Sequence, residues 1–300
     1  ILPVFILTLM MVAVDGVAEI IPETAFDGDG LAITKIGAGK DEAKAIGVQD
    51  DGKIVVAGQS GDPDSSDMAV IRYLSDGSVD HDFLFSAGHL IGAGLGSDGV
   101  HALQFDADGR IVLGGFVTEN GTRFGALVRL LEDGGLDYQF GDQGVVLFSS
   151  EGDETDFFDI SIGSDEQITA AGSTGSDADI LPLFVRFNED GSVNDTYATD
   201  GAQVLSELKG AIHGMAVYED DSVVGGGYAL DEQDEKQRDA VQCGGCLFLR
   251  TTEHGGSERG KEGEDTGEVE GFQQKWIHGW QGASVAQRAK SRERWAPLPA

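Results

Sequence analysis

Two histidines open the question of chemistry. His101 and His213 fall at equivalent places in a repeated pattern, just ahead of the first strand of their units, and Lys44 and Phe158 hold that place in the other two. In a ring of units these side chains would lie at matching heights. A metal centre there needs a third ligand of matching type, and Lys44 and Phe158 supply none; solvated or capping histidines are the expectation. Acidic turns are the next candidates: FDGDG (Phe26–Gly30), FDADG (Phe105–Gly109) and DPDSSD (Asp62–Asp67) place carboxylates two residues apart. Ca²⁺ sites use oxygen ligands at that spacing, but none of the three completes the D-x-[DN]-x-[DN]-G pattern with its distal Glu. Turn chemistry accounts for the Asp-Gly pairs, so no cofactor is expected, with Ca²⁺ as the candidate ion if one binds.

Cys243-Gly-Gly-Cys246 is a lone C-x-x-C. A zinc site needs a second pair or suitably spaced histidines, and a redox role needs a βαβ context; both are missing. Arg72, Arg129 and Arg186 recur in VIRY, LVRL and FVRF, mid-strand in apolar company. A structural pairing with a nearby turn carboxylate, such as Asp80, Asp137 or Asp195, is expected over an anion-binding ring. The chain carries no G-x-S-x-G, H-E-x-x-H or phosphate loop,. No catalytic, cofactor-binding or metal residue is therefore assigned.

The elements that hold these residues repeat. The three arginines are 57 residues apart, and Gly77, Gly134 and Gly191 keep that spacing in SDGS, EDGG and EDGS. Phe26, Phe83, Phe140 and Tyr197 extend it to four points. A turn followed by a strand recurs as DDGKIVVAG (Asp50–Gly58), ADGRIVLGG (Ala107–Gly115), SDEQITAAG (Ser164–Gly172) and EDDSVVGGG (Glu219–Gly227). Asp-Gly between two apolar runs is a strong hairpin signal. In the clearest unit the runs are Ala102–Phe105, Arg110–Phe116 and Gly125–Leu131, short and rich in Val, Ile, Leu and Phe, which suits strands,. A further run follows the Phe-x-x-x-Gly at Leu31–Ile36, Val145–Ser149 and Ala202–Leu205. The fold class is therefore all-β: a β-propeller or open propeller-like arc of about four four-stranded repeats, because radial repetition is one way to protect sheet edges. A stacked solenoid is the competing layout, with shorter repeats as its usual mark.

The string LEDGGLDYQFGDQGVV, preceded by DADGRIVLGG and ALVRL, resembles the delta-60 repeat family of bacterial proteins. The resemblance covers about Phe26 to Gly227 and departs from the pattern at three places. LFSAG follows Phe83, Glu166 replaces the turn glycine of the third unit, and Asp221 replaces that of the fourth. It implies a β-propeller-like, exported bacterial protein and no catalytic activity.

The formal net charge is −33. Residues 1–235 carry 10 Lys+Arg against 44 Asp+Glu; residues 236–300 carry 10 against 9. The repeat array is the acidic part, and it repels nucleic-acid phosphates and anionic membranes. No disulfide framework is possible with two cysteines outside the repeats,. Residues 1–18, ILPVFILTLMMVAVDGVA, read as a signal-peptide-like segment with small residues Gly16 and Ala18 at a cleavage site, too short for a stable membrane span,. Residues 19–227 form the β-repeat domain. Residues 228–300 read as a degenerate last repeat, in which LFLRTTEHGG (Leu247–Gly256) echoes ALVRLLEDGG, and an aberrant, disordered tail. All three tryptophans and half the basic residues fall there, as a frameshifted or truncated reading frame would produce; a short genuine tail is the alternative.

The expected function is a non-enzymatic exported scaffold or binding module, secreted or in the cell envelope, acting through polar inter-strand loops such as Gly61–Asp67 and Thr118–Arg123. Protein or carbohydrate at the cell surface are the candidate partners; nucleic acid is not. The alternatives are a propeller-type hydrolase or lyase with acidic or histidine side chains from several blades converging at the central mouth, and a fragment without function.

Overall fold

Each repeat becomes one antiparallel sheet because its runs are short, β-branched and joined by tight turns. In the computed structural model the described residues are 24–83, 89–92, 96–176, 179–218 and 221–230, with the backbone of 246–251 and 258–259. The signal-peptide-like segment, Cys243, the three tryptophans and the basic stretch near the end lie outside them. The described residues contain no helix. The first sheet is β1 (Lys40–Val48), β2 (Ile54–Gly61), β3 (Asp67–Tyr73) and β4 (His89–Ile91). The second is β5 (Gly99–Phe105), β6 (Ile111–Glu119), β7 (Thr122–Leu130) and β8 (Val145–Phe148). The third is β9 (Thr155–Ile162), β10 (Ile168–Thr174), β11 (Leu181–Phe187) and β12 (Ala202–Val204). The fourth is β13 (Lys209–Val217), β14 (Val223–Leu230), β15 (Cys246–Thr251) and β16 (Glu258–Arg259), its outer strands drawn from the segment that reads as a degenerate repeat. Every sheet is a meander in chain order. The first strands contact one another in sequence, β1 with β5, β5 with β9, β9 with β13, so they form the inner wall. The sheets are blades of an open propeller-like arc, which is the expected fold class.

The core lies between blades. On β2, Val55 and Ala57 face the second blade, where they meet Val100, Leu113 and Val128; Ile54 and Val56 face the other way. The opposite face of the second blade (Val112, Leu127, Phe140) meets Phe157, Ile168 and Val185 of the third. Burial on both faces explains why the runs read as unbroken apolar stretches rather than alternations. The outward face of the first blade is covered by Phe26, Ala32 and Ile36. The sequence predicts a strand over Leu31–Ile36, but only Ala32 forms a β-bridge. The segment still packs as a blade would: Asp27 N donates to Asp76 O as Gly141 N donates to Asp190 O.

The repeated arginine fastens this scaffold. Arg72 Nε donates to Asp80 Oδ2 at 2.8 Å, and Arg129 Nε to Asp137 Oδ2 at 2.8 Å, as expected. Each guanidinium also lies over the repeat's aromatic ring, Phe83 and Phe140, 4.5 Å from the centroid, and donates to a turn carbonyl of the next blade, Glu132 O and Glu189 O. In the third blade Arg186 covers Tyr197 at 4.6 Å, but the partner position is Asn194 rather than the expected Asp195, which is exposed one residue further on. The acidic turns are likewise structural. Asp106 Oδ1 accepts from the N–H groups of Asp108 and Arg110, and Asp29 Oδ1 from Leu31 N.

Candidate functional site

The inner strands carry a feature repeated in all four blades. Between β1 and β2 the register slips at Lys44, between β5 and β6 at His101, between β9 and β10 at Phe158, and between β13 and β14 at His213. Each is a β-bulge, an extra residue that re-aims a side chain and sharpens the local twist. The partner is the glycine ending each VVAG-like motif. A Cβ at Gly58, Gly115, Gly172 or Gly227 would collide with the carbonyl oxygen of Glu42, Gly99, Asp156 or Ala211, two residues before the bulge. Only hydrogen fits where the bulged backbone leans in. Contrary to expectation, His101 and His213 therefore sit within their strands, at the bulge, and are partly buried.

The bulge residues meet side by side across three blades. The Phe158 ring stacks on His213, centroids 4.5 Å apart at 17°, and lies 5.1 Å from His101 on the other side. His101 continues to Phe116 at 5.5 Å, and His213 to Tyr228 at 5.6 Å. Arg123 closes the row, its guanidinium 3.8 Å from the Phe116 centroid. Burial, then the nearby His101, holds the His213 pKa below the ordinary imidazole value.

Beside this row stands Asp156, at the start of β9 and 7 % exposed. Its Oδ2 accepts from Arg123 Nη1 at 2.8 Å, across the gap from the second blade to the third. Its Oδ1 is buried without a hydrogen-bond donor; His101 Nε2, also unbonded, lies 3.3 Å away. Asp159, one residue past the bulge, accepts from Met215 N at 2.7 Å and Ile160 N at 2.9 Å and so ties β9 to β13. Burial outweighs those two bonds and raises its pKa from 3.8 to about 6. Lys44 is apart from the aromatic row, 3.5 Å from Glu42, which also accepts from Lys40.

Two adjoining clefts open here. One, of about 490 Å³, runs between Glu42 and Gln59 of the first blade and Arg123 and Phe116 of the second. The other, of about 610 Å³, runs on past Thr118 and Glu154 toward Tyr228 of the fourth. They share Pro63, Ser97, Arg123, Asp156 and Phe158. Pro63 and Gly121 come from the two inter-strand loops that the sequence marks as sites for function. Among the described residues no three His, Cys, Asp or Glu side chains are placed to hold a metal ion.

Sequence reasoning identified the bulge positions but not their geometry, and it missed Arg123, Asp156 and Asp159. A glycine inside each second strand was the available signal for a bulge. The family model for the domain of unknown function (DUF5122) beta-propeller matches residues 49–83 and 107–140. Each match spans the hairpin turn, the second and third strands and the aromatic residue under the arginine, and stops short of Lys44 and His101. No curated protein matches the chain.

Proposed function

We propose that this β-propeller-type repeat chain is a non-enzymatic binding module of the delta-60 kind, exported to the bacterial envelope or beyond, whose ligand lies across the loop end of the inner strands. One observation carries the reading: equivalent bulges on four neighbouring inner strands present Lys44, His101, Phe158 and His213, and two of these, His101 and Phe158, line the clefts where the variable loops meet. The arginine and the bulge glycine recur from copy to copy, whereas the bulge position carries Lys, His, Phe and His in turn, a variation that suits an asymmetric ligand. A hydrolase reading has one supporting feature, the His101–Asp156 pair from adjacent blades. No Ser, Thr or Cys bonded to His101 accompanies it among the described residues, so the nucleophile-and-base arrangement is incomplete.

The test is a ¹⁵N-labelled chain titrated with glycan and peptide panels. Binders are expected to shift resonances around His101, Arg123, Phe158 and His213. Shifts confined to the opposite end, around Asp106–Arg110 and Asp133–Gly135, would refute the reading.

A further inference from the structure

We infer that Asn120 is a site of spontaneous deamidation whose product unfastens the contact between Arg123 and Asp156, so that the loop end changes with the age of the chain. The inference does not depend on what the clefts bind. Asn120-Gly121 is the one Asn-Gly pair in the sequence; the other two asparagines, Asn188 and Asn194, precede Glu189 and Asp195. The pair forms the two-residue turn of the β6–β7 hairpin, closed by Glu119 opposite Thr122, with φ of +52° and +82°,. Both residues are exposed, and a Cβ on Gly121 would meet nothing within 4 Å.

Deamidation starts when the backbone nitrogen of the following residue attacks the side-chain carbonyl carbon. Two kinds of hydrogen bond oppose it: one that holds that nitrogen, and one that holds the side-chain amide. The hairpin turns at the other end of the blades have the first. Gly52 N donates to Gln49 O at 2.9 Å, Gly109 N to Asp106 O at 3.1 Å, Gly134 N to Leu131 O at 2.9 Å and Gly191 N to Asn188 O at 2.9 Å. Asn188 and Asn194 have the second, their Nδ2 atoms donating to Ser192 Oγ at 2.9 Å and Gln167 Oε1 at 2.8 Å. Among the described residues neither Gly121 N nor the Asn120 amide makes a hydrogen bond. Glycine also puts no side chain in the way of ring closure. Gly121 N attacks Asn120 Cγ, gives up its proton and expels the side-chain nitrogen as ammonia, leaving a succinimide ring. Water then opens the ring at either carbonyl. One side gives an aspartyl residue; the other gives an isoaspartyl link, in which the main chain runs through the side-chain methylene.

Both products reach the clefts. The length of a turn sets the register of its hairpin, and the isoaspartyl link adds an atom to this one. The next pair along is Thr118 opposite Arg123. Arg123 must keep its place to hold Asp156 Oδ2 at 2.8 Å in the next blade and to lie 3.8 Å from the Phe116 centroid. The aspartyl product instead adds a carboxylate close in sequence to Arg123, where it competes with Asp156 for the guanidinium. Arg123 lines both clefts and Gly121 the second, so the walls of both move with the turn.

The experiment is incubation of the full chain in warm, mildly alkaline buffer, followed by peptide mapping and by ¹⁵N NMR of the Arg123 side chain. Position 120 is expected to lose its amide at least about tenfold faster than Asn188 or Asn194, because a free nitrogen and an unhindered ring closure both lower the barrier. Aspartyl and isoaspartyl peptides should both appear, the second labelled by an isoaspartyl methyltransferase, and the Arg123 Nε resonance should shift in step with conversion. Asn120→Gly suits the same turn and carries no amide, so its Arg123 signal should hold steady through the incubation. Amide loss at position 120 no faster than at Asn188 and Asn194 would overturn the inference. Conversion that leaves the Arg123 signal unmoved overturns it too, as does an equal drift of that signal in Asn120→Gly.

Discussion

Gly115→Ala is expected to be among the most damaging single-methyl substitutions this fold can suffer. The added Cβ would overlap the carbonyl oxygen of Gly99 and lie 2.9 Å from Val100 Cα and 3.0 Å from Gly99 C. All three are backbone atoms, so no side chain can swing aside. Relief requires the inner strand to move away by about 1 Å, in an interior packed to crystal density. Overpacking of a core costs about 1–3 kcal/mol, and backbone rather than side-chain displacement puts this case at the upper end. Losing a neighbouring ladder hydrogen bond adds about 1 kcal/mol. The sum is about 3–4 kcal/mol, against a whole stability of about 5–15 kcal/mol for a domain. The control is Gly109→Ala in the adjoining turn, where φ is +78° and nothing lies within 4 Å of the new Cβ. Only the left-handed backbone is penalised there, at about 1 kcal/mol. Urea unfolding followed by far-UV circular dichroism measures both, and the His101 ring resonances report whether the bulge has shifted. Equal losses in the two variants, or an unmoved His101 signal in Gly115→Ala, would refute the claim that the glycine exists to admit the bulge.

Two further perturbations test the electrostatics and the worn turns. Asp159 holds its proton to about pH 6 in the fold, against 3.8 ordinarily. The folded state thus binds the extra proton, and the stability it confers is full below about pH 4 and lost as pH rises through about 6, by about 3 kcal/mol. Asp159→Asn removes that slope while forfeiting one of two N–H bonds, for a net gain of about 1–2 kcal/mol near neutral pH. Unfolding midpoints between pH 4 and 8 check it, and an unchanged slope would assign the pH dependence elsewhere. His213, kept neutral by burial, acts in the opposite sense, its contribution falling as pH drops below the ordinary imidazole value, and the variant leaves it in place. Glu166 occupies a turn position at φ +63° that glycine fills in the first two blades. Glu166→Gly should stabilise by about 0.5–1 kcal/mol in the same urea assay, and a loss would show that the turn is not strained.

Glu166 also shows how far the fold could be read from residues alone. The third and fourth units look eroded because Glu166 and Asp221 replace glycine, yet both keep the left-handed backbone, at φ +63° and +60°. The surrounding strands enforce the turn once neighbouring blades bury them. Strand positions, turns and the Arg72–Asp80 and Arg129–Asp137 pairs were legible because each is decided within one unit, by alternation, turn chemistry or a separation of eight residues. The Arg123–Asp156 contact was not, because 33 residues and a blade boundary separate the partners. It exists only once β7 and β9, from neighbouring blades, come together. The bulge escaped for a related reason: the glycine that permits it is visible, but the carbonyl that fills the space belongs to another strand.

The placement of basic residues follows from the same division. Among residues 24–230, Lys53, Arg72, Arg110, Arg129 and Arg186 lie at the turn end. There Lys53 pairs with Asp51, Arg110 with Asp106, and Arg72 and Arg129 stitch one blade to the next. Lys35, Lys40, Lys44, Arg123 and Lys209 lie at or beside the loop end. Net charge therefore describes the outer surface of the array and says little about the mouth, where Lys40, Lys44 and Arg123 face Glu42 and Asp156. A wall of paired charges and stacked rings is selective through geometry rather than field. Direction-dependent hydrogen bonds, rather than ionic strength, should govern what it holds.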